Sequence, residues 1–297
     1  MNKFVLITFV LISTALMGSS FSVGKIGLQY VSPLLMVGLR FVLAGLLMAV
    51  YVGLTKKPLP KELKSWIKIF LIGLFQTAGV FAAIFISLRT ISAGQSAILT
   101  FMNPLLVVIF GSLVLGMKFR FVQWLGVISG FAGVLIALGG HFEFQFDTIL
   151  GFGGAVSWAT ATLLVNRWGK DLNTWVLSAY QMLFGGAVLL MCSVLFEEMQ
   201  LIVNPTSIFV ILWLAIMASV VQFTMWFFVL QSGNPAKVSS FLFLAPFFGV
   251  LTGWLLLHEE IGLTLIIGGA FIFSGIFLVN WTTKRMCEEA VFIDKEK

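Results

Sequence analysis

Charge is what this chain has least of. Asp, Glu, Lys and Arg make up 10% of its 297 residues and 60% of the residues are hydrophobic. A soluble domain carries roughly a quarter charged residues, so a water-soluble globule is excluded. No Asp or Glu falls inside any long apolar run, which leaves proton or sodium coupling through a buried carboxylate without a residue to act through. Cysteine and histidine are scarce, two of each. Cys192 lies in an apolar run and Cys287 in a polar terminus, so no disulfide or thiolate metal framework is implied. His141 and His258 both sit at the ends of apolar runs, which excludes a paired-His metal site. There is no P-loop, no G-x-G-x-x-G and no acidic cluster of the kind that holds magnesium diphosphate. No cofactor is implied, and the missing motifs argue against ATP-driven transport within this chain.

What the chain does have is long apolar runs, and a mean hydropathy of +1.07. A helix needs about 20 apolar residues to cross the hydrocarbon core, and polar interruptions divide the sequence into ten runs: 4–23, 33–54, 66–87, 92–116, 121–139, 148–165, 174–196, 206–230, 236–257 and 261–281. The connections are short, several closed by proline at Pro33, Pro58, Pro205 and Pro235. Lys3 and the apolar stretch after it have the form of a signal peptide, but the same hydropathy recurs along the whole chain, which points to a first membrane helix that stays attached. The expected fold is all-α, a polytopic integral membrane protein of ten transmembrane helices, with residues 284–297 as a polar tail.

The basic residues give the orientation, because short cytoplasmic loops are enriched in Lys and Arg. With both termini cytoplasmic, the inner segments hold Lys3, the Lys56–Lys68 group, Lys118, Arg120, Arg167, Lys170, Lys237 and the tail. The outer loops keep Lys25 and Arg89 but collect Glu143, Asp147, Glu197, Glu198, Glu259 and Glu260. The net charge of +6 and pI near 9.4 are therefore a topology signal for a cell-membrane protein, and nucleic acid is not an expected partner.

The chain is also duplicated. ILTFMNPLLVVIFGSLVLG (98–116) is echoed by FLFLAPFFGVLTGWLLLHE (241–259): Pro246, Gly253, Gly268 and Gly275 each stand 142 residues after Pro104, Gly111, Gly126 and Gly133. At an offset of 141, Gly186 follows Gly45 and Gln181 follows Arg40. The repeats are read as residues 1–140 and 141–283. With five helices each, an odd number, the second enters the membrane from the side opposite the first. Inverted repeats with substrate near the bilayer midplane are a transporter architecture.

On these residues the chain resembles the EamA-type family of the drug/metabolite transporter superfamily. The likeness covers residues 4–283 and rests on Ser92-Ala93-Gly94-Gln95-Ser96-Ala97, Asn103-Pro104, Gly126 and Gly133, with the echo Ala245-Pro246, Gly268 and Gly275, and on Arg40 and Leu88-Arg89. Two departures from the family pattern are visible. Met17 precedes Gly18-Ser19 where an aromatic is usual, and Gly116-Met117 stands where Gly-Glu is usual, its counterpart being His258-Glu259. The resemblance implies a transporter of small organic metabolites, amino acids or drug-like compounds, most simply an exporter. The other class considered is an integral-membrane enzyme acting on lipid, which the lack of an intramembrane carboxylate, His pair or Ser-His set disfavours.

Candidate pathway residues are neutral polar groups and aromatics within the runs: Gly18, Ser19, Gln76, Phe81, Thr100, Asn103, Trp158, Thr162, Gln222, Trp226 and Ser239. A mostly apolar cavity with few polar groups suits a small amphipathic substrate. Many of the hydroxyls will serve only as interhelical contacts. Pro104 and Pro246 each remove a backbone donor and are candidate hinges. Arg40 lies about 10 Å from the outer end of its run at 1.5 Å per residue; it either snorkels to the interface or contacts an anion. The spacings Gly126-x-x-x-Gly130 and Gly249-x-x-x-Gly253 favour close packing within the chain. That is compatible with a monomer, and no oligomeric state follows.

Overall fold

In the computed structural model, residues 3–116, 119–137, 146–226 and 244–293 are described, and every structural statement concerns them. The elements are α1 (Lys3–Gly27), α2 (Pro33–Leu54), α3 (Leu63–Gly73), α4 (Val80–Ser87), α5 (Ala93–Thr100), α6 (Asn103–Leu115), α7 (Phe121–Ala137), α8 (Phe146–Trp168), α9 (Thr174–Phe196), α10 (Pro205–Ala215), α11 (Leu244–Leu257) and α12 (Leu263–Ile293). They form ten apolar helical spans. Two spans contain a π-helical turn, Leu74–Gly79 between α3 and α4 and Ile216–Val221 after α10, and another is made of α5 and α6. Seven spans are long and apolar enough to cross a membrane, and α7, α11 and the apolar part of α12 are shorter. Residues 236–243, assigned by sequence to the ninth run, lie outside the described residues. The expected polar tail is helical to Ile293, because α12 continues through it.

The break in the fourth span follows from its sequence. Pro104 offers no N–H, so α5 closes at Thr100 and α6 starts afresh with proline in its first turn. The start of α5 is a capping box: Ser92 Oγ accepts from Gln95 N at 3.0 Å and Gln95 Oε1 accepts from Ser92 N at 3.2 Å. Such reciprocal bonds satisfy amides that a helix start leaves open.

Glycine seams join the spans. A Cβ on Gly126 would lie 2.7 Å from Gly275 O, and one on Gly133 would lie 2.5 Å from Gly268 O. Position rises along α7 as it falls along α12, so the two helices run antiparallel at backbone contact. In the same way a Cβ on Gly45 would lie 2.7 Å from Leu183 N and one on Gly186 2.7 Å from Val42 N, which sets α2 antiparallel to α9. Lipid is as apolar as leucine, so close backbone approach, rather than a hydrophobic drive, holds such helices together. A large core of buried side chains spans α1, α2, α4 and α9, and a second gathers α5, α6, α7, α8 and α12.

One end of the molecule is tied by polar contacts. Ser32 N donates to Gln200 O at 3.0 Å and Ile202 N to Tyr30 O at 2.9 Å, joining the loop after α1 to the loop after α9. Glu197 accepts from Leu34 N at 2.9 Å and Leu35 N at 3.2 Å, at the start of α2. Glu259 accepts from Ala93 N at 2.8 Å and Gly94 N at 3.3 Å, at the start of α5, and pairs with Lys25 at 3.0 Å. Each carboxylate thus sits where a helix N-terminus favours negative charge. Lys25, Glu197 and Glu259, assigned by sequence to one side of the membrane, share this end.

Candidate substrate cavity

A cavity opens between α1, α2, α4, α5, α8 and the two π turns. Its volume is about 50 Å³. The resting cavity is therefore narrow, and a metabolite-sized ligand requires its walls to part.

The walls are built from periodic faces. From α1 come Met17, Ser20 and Phe21; from the third span Gln76, Val80, Phe81, Ile84 and Phe85; from α5 and the break after it Thr100 and Phe101; from α8 Trp158; and from the eighth span Ala218, Gln222 and Phe223. The steps of three and four residues are those of one helix face. Phe101 packs on Trp158 at a centroid distance of 5.4 Å and on Phe21 at 6.1 Å, so the residue set loose at the proline break carries an aromatic corner.

Arg40 enters this cavity from α2. It is 1% exposed, so the snorkelling alternative is wrong: the side chain is enclosed between helices and does not reach an interface. Nε donates to Ser219 Oγ at 2.9 Å and Nη2 to Ala218 O at 2.9 Å, both in the second π turn. The guanidinium lies 4.7 Å from the Phe41 ring centroid and 4.8 Å from that of Phe81, distances at which an aromatic face attracts a cation. Nη1 has no hydrogen-bond partner, and neither has Nε2 of Gln222.

The π turns mark the same place in both halves, since Ile216–Val221 follows Leu74–Gly79 by 142 residues. A wider turn interrupts the regular hydrogen-bond ladder and recurs at functional sites, and carbonyls in both turns take side-chain donors. Ala218 O accepts from Arg40, and Phe75 O accepts from Ser157 Oγ at 2.8 Å. Opposite Arg40–Ser219 stands its counterpart, Thr77 Oγ1 donating to Gln181 Oε1 at 2.6 Å.

The structure brings Gln76, Phe81, Thr100, Trp158, Gln222 and Arg40 together on the cavity wall. It places the other candidates elsewhere. Gly18 lies where a Cβ would meet Ala245 O and Gly249 N, so it is a packing contact between α1 and α11. Ser19 bonds to Leu16 O of its own helix at 3.3 Å while its neighbour Ser20 faces the cavity. Asn103 is buried away from the cavity at the start of α6. Thr162 is exposed and bonds back to Trp158 O at 2.9 Å. Trp226 packs with Leu6, Phe9 and Leu244 around Val10, in a separate cluster. Ser239 lies outside the described residues. Pro104 starts α6, and Pro246 is the third residue of α11 as described.

Ser20, Phe21 and Phe101 also line the cavity and were not among the sequence candidates. The i, i+3, i+4 pattern of Met17, Ser20 and Phe21 was available to find the first two. No signal in a single sequence marks a π turn.

Ten apolar spans around a narrow, aromatic-walled cavity define a polytopic membrane protein. The model of the EamA-like transporter family matches residues 5–139 and again 146–281, and the chain belongs to that family. It is 28% identical to the transporter YvbV of Bacillus subtilis (strain 168), over 94% of this chain and 92% of that one. Protein PecM of Dickeya dadantii (strain 3937) is 26% identical, over 84% and 83%. The inner membrane transporter YedA of Escherichia coli (strain K12) is 27% identical, over 80% and 78%. A chain solved by crystallography shares the fold, with a TM-score of 0.66 at 22% identity, over 94% of this chain and 98% of that one. Relatives named as transporters set aside the lipid-acting enzyme.

Proposed function

We propose that this chain is a secondary transporter that moves small organic metabolites across the cell membrane, most simply outward, by alternating access of two inverted five-helix repeats, residues 1–140 and 141–283. The observation that carries the reading is the exchange of equivalent contacts. Gly126 meets the counterpart of Gly133, Gly133 meets the counterpart of Gly126, and the helices so paired run antiparallel. Two similar bodies related in this way can rock about a shared site, and the cavity lies between their π turns. Gln76, Phe81, Thr100, Trp158 and Gln222 are its substrate-facing residues, and Pro104 and Pro246 are the hinges. With no carboxylate in any span, uniport or exchange is the simpler mode. The termini are cytoplasmic on the distribution of Lys and Arg.

Counterflow into proteoliposomes, run with a panel of radiolabelled metabolites, tests the reading. At least one compound should show saturable accumulation, and absence of flux for all of them with folded protein removes it. Inversion has its own test. In a background of Cys192→Ser and Cys287→Ser, Glu143→Cys should be labelled by a membrane-impermeant maleimide added to intact cells and Gly169→Cys should not; the reverse pattern overturns the topology.

A further inference from the structure

We propose that the cavity binds its ligand through a carboxylate, held by Arg40 Nη1 and Gln222 Nε2, with an apolar body lying against Phe81, Phe101 and Trp158. The inference rests on reading this cavity as the substrate site and adds the chemical class of the substrate.

Three observations converge. Arg40 is 1% exposed and uses two of its nitrogens on Ser219 and Ala218, yet Nη1 has no partner. Gln222, 2% exposed on the next turn of the same span as Ala218, ends on a second unpartnered donor. Both residues line the one cavity. Buried donors are nearly always paired, so two open ones beside a single space call for an acceptor that the chain does not supply. The third observation is charge. No Asp or Glu occurs in any apolar span, so the guanidinium has no protein counter-ion at this depth, and an unpaired buried charge is strongly unfavourable. The two aromatic faces over Arg40 attract the cation but accept none of its in-plane N–H donors.

A carboxylate answers all three, with negative charge and acceptor oxygens enough for both donors. Its attached body has aromatic walls to meet. Phe101 and Trp158 form one edge-to-face pair at 5.4 Å, and Phe81 and Phe41 another at 4.4 Å. A bare inorganic anion would leave those walls unused, which makes an apolar or aromatic monocarboxylate the better fit.

Binding is measured by titration calorimetry on the full-length protein in detergent, with 3-phenylpropionate, benzoate and hexanoate, each against its own amide, and with inorganic phosphate. At least one acid should bind about 10-fold or more tightly than its amide, the scale of one charge-assisted hydrogen bond. Arg40→Gln should erase that preference. Gln222→Leu, which breaks no bond within the protein, should remain folded and weaken the acid about 3- to 10-fold with its amide unchanged. If Arg40→Gln fails to fold, Gln222→Leu and Arg40→Lys decide, the latter keeping the acid preference at reduced affinity. Amides binding as well as acids, no acid binding to folded protein, acid affinity untouched by Gln222→Leu, or phosphate binding more tightly than every carboxylate overturns the proposal. Counterflow separates the two readings. Acid binding without flux of any compound removes transport and keeps the anion site, whereas flux of neutral compounds with no acid preference does the reverse.

Discussion

Two corners of this molecule occupy matching places in the duplicated chain and have diverged in chemistry. In one, Gln181 of α9 meets Thr77 in the first π turn, a neutral pair closed at 2.6 Å. In the other, Arg40 of α2 meets Ser219 in the second π turn at 2.9 Å, and keeps a donor in reserve beside the cavity. The scaffold is shared, since both corners use a helix seamed to its counterpart by Gly45 and Gly186. The frame is repeated, but one matched pair is a closed neutral contact and the other a charged, incompletely satisfied one. The turns after the two proline-containing spans differ in the same manner. Gly116 and His258, 142 residues apart, both hold positive φ, 63° and 54°. Glu259 after the second closes on the start of α5 and on Lys25, while the first is followed by Met117, which can hold no cation. The ends of the two repeats are not chemically equivalent.

The most disruptive way to test this comparison is to break what the halves share. Gly268→Val puts a side chain where a Cβ would lie 2.5 Å from both Gly133 O and Ala137 N. Neither is a movable side-chain tip, so the cost should reach about 3 kcal/mol, the upper range of overpacking. Size-exclusion chromatography should show loss of the folded monodisperse species. Gly153→Ala, at a position with nothing within 4 Å, should leave the profile unchanged.

Removing the hydroxyl at each π turn separates the two corners. Ser219→Ala leaves Arg40 Nε without an acceptor and should cost about 2–3 kcal/mol, the range for a hydrogen bond to a charged group. Thr77→Val leaves Gln181 Oε1 without a donor and should cost about 1 kcal/mol. Thermal unfolding in detergent should rank them in that order, and equal losses would mean that the corners are energetically alike.

At the polar end, Glu259→Gln weakens two amide contacts and the ion pair with Lys25. The pair is partly exposed, 28% and 16%, and screening by water limits its worth, so the loss should be about 1 kcal/mol. Limited proteolysis near Lys25 and Arg89 should quicken, whereas Met117→Gln should change nothing at this end. The smallest effect is expected at the matched turns. His258→Gly relieves a left-handed conformation disfavoured for residues with a Cβ, and should stabilise by about 0.5 kcal/mol after the entropy that glycine loses. Gly116→His should destabilise by a similar amount, both read as small opposite shifts in Tm.

Much of this frame is legible in the sequence. The ten runs, the chain break at Asn103-Pro104 and the glycines at 126, 133, 268 and 275 follow from apolar length and from residues whose backbone needs are local. The sequence offered Gln76, Phe81, Thr100, Trp158 and Gln222 among its polar and aromatic candidates, and these five lie on the cavity wall. It could not separate Ser20 from Ser19, because adjacent residues on a helix point about 100° apart and only the neighbouring helix fixes which of them faces inward. Thr162 shows the same limit, four residues beyond Trp158 yet outside the cavity.

The sequence by itself determined how many times the chain crosses a membrane, that one crossing breaks at Asn103-Pro104, and that the second half repeats the first. Those features depend on composition along a single segment, and each segment must satisfy its own backbone hydrogen bonds within lipid. The tertiary structure alone decided the fate of Arg40. Its distance from the end of α2 left snorkelling and contact with an anion both open, and the choice was made by partners 178 and 179 residues away, Ala218 and Ser219. A buried charge is held by groups brought to it from elsewhere in the chain, and their convergence is a property of packing that no local pattern carries.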